Sequence, residues 1–210
     1  SEGTNFTGSL LIGHSTTGAI DNAFYNTGIG IGALDALTTG DYNIAIGYST
    51  GTSINSGQYN ILIGSNTGDA LTSGTRNVAI GHNALSTEDG YGRNVAIGHN
   101  ALFALDAGAD AYNIAIGYDA GTAITTGVQN TILGAQAGDA LTTGNHNIAI
   151  GFRALSTEDT GSNSTAIGYY ALNKQNDNNN MYNIAIGHST GQEITTGTNN
   201  VLLGGLTGSG

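Results

Sequence analysis

The sequence predicts an all-β fold, a parallel β-solenoid of twelve short coils. Three observations carry that prediction. First, a glycine closes a short apolar run at Gly13, Gly30, Gly47, Gly64, Gly81, Gly98, Gly117, Gly134, Gly151, Gly168, Gly187 and Gly204, spaced by 17 residues nine times and by 19 twice. Second, the run has a consensus, Asn followed by Ile or Val, Ala, Ile and Gly, as in residues 43–47 and 113–117. Third, Gly supplies 35 of the 210 residues and Pro none, with Thr, Ser and Asn filling the stretches between runs.

Each coil begins with its motif, at positions 9, 26, 43, 60, 77, 94, 113, 130, 147, 164, 183 and 200, so residues 1–210 form one repeat domain. Seventeen residues with a single apolar run of three or four are too short for a helix pair, and a β-rich run between turn formers reads as a short strand. Asn holds the first position at Asn26, Asn43, Asn60, Asn77, Asn94, Asn113, Asn130, Asn147, Asn183 and Asn200, with Ser9 and Ser164 in the other two coils. Stacked coils turn this position into a column of amides able to hydrogen-bond coil to coil. Strand alternation points the second and fourth positions one way and the Ala of the third position the other. The motif Gly marks a positive φ or a close backbone approach.

A second apolar position follows, as Ile54 after Ile46, Leu71 after Ile63 and Ile124 after Ile116; other coils place a Leu three residues earlier, at Leu85, Leu102, Leu155 and Leu172. Two turns of the Thr-Thr-Gly, Asn-Ser-Gly or Thr-Glu-Asp kind separate the anchors. The result is a two-sided β-roll. A three-sided helix of hexapeptide repeats is the near alternative, but it needs an apolar residue about every six positions. At a strand spacing of about 4.8 Å, twelve coils make a rod roughly 55–60 Å long. A longer period overlies the coils: residues 43–112 and 113–182 agree at 34 of 70 positions, so four coils form a duplicated cassette.

Composition excludes several functions. A net charge of −11 with four basic residues leaves too few cations for nucleic acid or an anionic membrane surface. Without Cys there is no disulfide framework, thiolate metal site or cysteine nucleophile. No run of about 18 apolar residues spans a membrane. Gly lacks the three-residue period of collagen. The chain begins at Ser1 with no visible signal peptide, which reads as a processed chain or a fragment. Backbone entropy of about 1–2 kcal/mol per residue makes so thin a roll marginal alone. An oligomer burying the Ala face or the Ile face between chains is therefore expected.

These residues resemble the β-roll heads of trimeric autotransporter adhesins and related repeats of phage and bacterial surface fibres, which carry an Asn-x-Ala-Ile-Gly strand in each coil. The likeness covers residues 9–204. It implies a left-handed roll, three parallel chains and an exposed adhesive or spacer role at a cell or virion surface. The adhesin heads use shorter coils, and the 17-residue form is more similar to the fibre repeats. A stub of 8 residues precedes the first coil and 11 residues follow from Asn200; together they match a 19-residue coil. Head-to-tail polymerisation through a shared coil and excision from a longer fibre both fit that arithmetic.

Several residues suggest binding chemistry, each with a plainer reading. Tyr25, Tyr42 and Tyr59 precede the Asn of successive coils and form a possible ligand-facing row for surface glycans; a stacked ladder that stiffens the rod is the plainer one. His14, His82, His99 and His188 follow the motif Gly, where a metal is conceivable, yet Tyr48, Tyr118, Phe152 and Tyr169 occupy the same position. Glu88-Asp89 and Glu158-Asp159 suggest calcium or acid–base chemistry against a solvated turn. Thr pairs such as Thr38-Thr39 and Thr142-Thr143 suggest an ice-binding lattice against ordinary turn chemistry. No phosphate loop, nucleophile elbow or zinc motif appears. No cofactor or catalytic residue is assigned. The expected function is a non-enzymatic extracellular structural fibre or filament protein that partners itself, as a trimer or head to tail. A glycan-binding or ice-binding module is the alternative.

Overall fold

The computed structural model describes residues 8–13 and 22–205. Twelve three-residue strands lie among them: β1 (Leu10–Ile12), β2 (Thr27–Ile29), β3 (Ile44–Ile46), β4 (Ile61–Ile63), β5 (Val78–Ile80), β6 (Val95–Ile97), β7 (Ile114–Ile116), β8 (Thr131–Leu133), β9 (Ile148–Ile150), β10 (Thr165–Ile167), β11 (Ile184–Ile186) and β12 (Val201–Leu203). They form one parallel sheet in chain order, with no crossover. Equivalent residues pair throughout: Ile44 with Ile61, Ala45 with Leu62 and Ile46 with Ile63. The 19-residue coils keep this register, since Val95 pairs with Ile114 and Thr165 with Ile184. Their extra residues are therefore absorbed before the next Asn, outside the sheet.

Among the described residues, the other side of a coil is built of turns rather than a second sheet. Backbone bonds still join it coil to coil, as in Leu34 N–H to the Thr50 carbonyl (3.1 Å) and Gly51 N–H to that of Thr67 (3.0 Å). The second apolar anchor of the sequence sits on this turn-built wall and faces the strand across a narrow core.

The strand alternation resolves with Ala inward. Ala45, Ala79, Ala96, Ala115, Ala149, Ala166 and Ala185 are fully buried, while Ile44, Ile61, Ile114, Ile148 and Ile184 are exposed. This corrects one of the two expected association faces. The Ala face cannot lie between chains, because the chain's own opposite wall covers it.

Core volume is balanced between neighbouring coils. The ninth position of a coil is Gly in two coils of a cassette and Leu in the other two. A Cβ placed on Gly51 would lie 2.9 Å from Leu62 Cδ1 and 3.0 Å from Ile54 Cδ1. Leu62 thus replaces the usual strand Ala and fills the space that Gly51 leaves. Leu62 likewise covers Gly68 of its own coil (3.0 Å), and Ile132 covers Gly138 of its own coil in the same way, 3.0 Å from a Cβ built there. Where Leu takes the ninth position it keeps the left-handed backbone, φ 53° at Leu85 and 49° at Leu102. That conformation costs about 1–3 kcal/mol. Burying the Leu side chain returns about 1.5–3 kcal/mol, enough to hold it there.

The motif glycine is required on two counts. Gly64 has φ 135°, and a Cβ there would lie 2.5 Å from the Gly81 carbonyl oxygen of the next coil.

Candidate functional site

The amide column lies inside the rod, not on its surface. Asn26, Asn43, Asn60, Asn77, Asn94, Asn113, Asn130, Asn147 and Asn183 are fully buried, and Asn200 continues the column at the last coil. Each carboxamide bonds in two directions. Asn60 Nδ2 donates along the column to Asn43 Oδ1 (3.0 Å) and across its own coil to the Gly74 carbonyl (2.8 Å). Asn60 Oδ1 accepts the backbone N–H of Asn77 (3.0 Å). The side chain therefore ties the strand to the far turn as well as one coil to the next. Buried amides become acceptable in so thin a core because their donors and acceptors are satisfied.

The coil that lacks this Asn has a substitute. Ser164 Oγ accepts from Gln175 Nε2 (2.8 Å), and Gln175 Oε1 accepts from Asn183 Nδ2 (2.8 Å). A glutamine from the turn wall thus restores the amide column across Ser164. Sequence reasoning missed Gln175; its signal was a polar residue at a position that is Leu or Ile in eight of the other coils.

Tyr25, Tyr42 and Tyr59 form one column with ring centroids 4.9 and 5.0 Å apart and planes within 18°. The Arg76 guanidinium lies over the Tyr59 ring at 5.5 Å. The Tyr42 ring has a tyrosine on each face, so edges and hydroxyls, not faces, meet solvent. Desolvation first, then the charges that Tyr25, Tyr59 and Asp41 can carry, push the Tyr42 phenol above its ordinary value. Stacking a sugar ring needs an open aromatic face, which Tyr42 does not offer.

A second column runs after the motif Gly. His82 stacks on His99 at 5.4 Å and His99 on Tyr118 at 5.1 Å, with His99 Nδ1 3.5 Å from Asp119 Oδ1. Phe152, Tyr169 and His188 continue the pattern. His14 lies outside the described residues, as do both chain ends on which the shared-coil junction rests. The first hydroxyls of the Thr pairs are engaged: Thr38, Thr125 and Thr142 donate to backbone carbonyls one coil on.

The paired carboxylates correct the solvated-turn reading. Asp89 is exposed, but Glu88 and Glu158 are fully buried. They occupy the position that holds Leu71 in the coil before Glu88 and Leu141 in the coil before Glu158. Glu88 accepts the N–H groups of Tyr91 (3.0 Å) and Ala107 (3.4 Å); Glu158 accepts those of Gly161 (2.7 Å) and the Gln175 amide (3.0 Å). Each carboxylate clasps the turn ahead of a long coil. Carboxylate oxygens of Glu88, Asp89 and Asp106 lie within 4.8 Å of one another. Those of Glu88 are already engaged by the backbone.

Burial pushes the Glu88 carboxyl up from its ordinary value, and burial does the same to Asp139. A folded-state pKa above the unfolded one stabilises below the unfolded value and is lost as pH rises through the folded value. Urea unfolding should therefore show stability rising as pH falls from 7 toward about 4.5, the unfolded carboxylate range. The Glu88→Gln variant should flatten that slope. An unchanged slope would place Glu88 in solvent.

No protein-family profile, curated protein or solved structure matches the chain.

Proposed function

We propose that the chain is a non-enzymatic structural rod, the shaft of an extracellular fibre or filament, which associates with copies of itself to set distance and stiffness at a surface. One observation carries this reading: residue-for-residue register runs unbroken through all twelve strands, across both longer coils. A binding cleft or catalytic site asks some coil to leave the repeat, through an insertion or a displaced side chain. Here the departures Ser164 and Glu88 are absorbed back into hydrogen-bonded ladders, and the two-residue insertions of the longer coils leave the strand register unchanged. The covered faces of the stacked tyrosines favour a stiffening role over a glycan platform.

Electron microscopy of the purified chain, with light scattering alongside, tests the proposal. Rods of roughly 55–60 Å, or end-to-end multiples, are expected from strand spacing, in particles heavier than one 21.1 kDa chain. A compact single-chain particle, or specific turnover of a polysaccharide, would contradict it.

A further inference from the structure

The outer face of the sheet is set apart chemically from the rest of the rod. Take in each coil the seven residues from the one before the first motif position to the one after the motif Gly. These twelve windows hold none of the 15 acidic residues, all five histidines and eight of the ten tyrosines. Every carboxylate falls elsewhere in the chain. The outward positions form two rows, one aliphatic throughout and one aliphatic save for Thr27, Thr131 and Thr165, flanked by two rows of mixed Tyr, His, Phe, Arg and small polar residues. Ile44, Ile61 and Ile114 are 37–40% exposed, and Tyr48 and Tyr118 on the flank are 60% and 54% exposed.

We infer that this face docks another copy of the same chain. The inference rests on the reading of the chain as a self-associating rod and names the surface and partner.

Three arguments select a second copy. The first is charge: a chain at −11 repels its copies everywhere except where it bears no carboxylate. Face-to-face docking keeps the acidic turn walls apart. The second is area. About twelve rows at 4.8 Å by three strand residues of about 3.3 Å give roughly 570 Å² for the strand face alone, and the flanking side chains widen it toward the ~800 Å² per partner of a stable interface. Exposed aliphatic rows running the length of the rod exceed the few hundred Å² a monomer ordinarily shows. The third is period. Side-chain rows recur once per strand spacing, and another stack of the same coils presents rows of the same repeat. Knobs of one copy then meet grooves of the other along the whole length.

Sedimentation velocity over a range of concentrations tests this on the full chain. The variant carrying Ile44→Lys, Ile61→Lys and Ile114→Lys should raise the dissociation constant at least about a hundredfold, as loss of central interface anchors does. A second variant, Tyr48→Lys with Tyr118→Lys, changes more exposed positions and keeps the test open if the first folds poorly. The control Thr39→Lys with Thr126→Lys adds as many charges as the second variant, on the turn wall, and should leave association unchanged. Melting curves verify that each variant folds. A wild type that assembles equally with and without the sheet-face changes overturns this inference and leaves the rod reading standing. A wild type that stays monomeric overturns both. A monomer that floats with phosphatidylcholine vesicles, losing that binding in the sheet-face variants, assigns the face to a lipid surface instead.

Discussion

Replacing Asn60 with Leu is expected to lower the unfolding free energy by about 2–6 kcal/mol, since each buried polar group left without a partner costs about 1–3 kcal/mol. Two groups are orphaned at once: the Gly74 carbonyl that accepts Asn60 Nδ2, and the Asn77 N–H that donates to Asn60 Oδ1. Asn77 Nδ2 also loses a 3.2 Å acceptor. Shape is nearly conserved, so the loss reports hydrogen bonding more than cavity formation. Stability in a stacked repeat is a sum of coil and neighbour terms. Amide exchange should therefore rise most in the coils that start at Asn43, Asn60 and Asn77, and less at the rod's ends. Urea denaturation and exchange mass spectrometry together check this. A loss under about 1 kcal/mol, the mean net worth of one hydrogen bond, would mean that the column is ornamental to stability.

The second large effect separates deleting a cassette from deleting a coil. Removing residues 43–112 joins Tyr42 to Asn113, and Asn113 opens a coil of the same type as Asn43. Every core layer keeps its proper neighbour, so melting should remain cooperative and shift by only a few degrees. Removing residues 60–76 also preserves the backbone register, because one full coil is lost. It takes away Leu62, however, which fills the space over both Gly51 and Gly68. The coil of Ala45, Gly51 and Ile54 then meets a coil designed for another neighbour. A cavity approaching the size of a leucine side chain costs about 3 kcal/mol or more. The shorter deletion should thus be the more damaging one. Equal stability per remaining coil in the two variants would show that coils are interchangeable and that the cassette has no energetic meaning.

Coil length, strand position and stacking were legible because the motif Gly is dictated by sterics. Its positive φ and the carbonyl of the next coil leave no room for a side chain, so the residue recurs wherever the backbone does. The sense of the strand was not legible. Alternation separates Ala45 from Ile44 and Ile46, but a larger residue outside and a smaller one inside runs against burial preference. The answer depends on Leu34, Ile54 and Leu62 arriving from other parts of the coil stack. Glu88 was misread because a carboxylate in a Thr-Glu-Asp turn is ordinarily solvated. Only its alignment with Leu71 reveals the inward position. Gln175 was missed for a related reason: its partner Ser164 lies eleven residues away, across the core. The tyrosine column was legible as a column, while the covering of its ring faces needed the coil spacing itself.

Small-angle scattering on two chains tests the central claim most directly: the natural one, and one with an additional copy of residues 113–182. Four added coils at about 4.8 Å each should lengthen the rod by about 19 Å per chain. The cross-sectional radius should stay unchanged. Growth in all dimensions, or a change in cross-section without that lengthening, would contradict a stacked-coil rod.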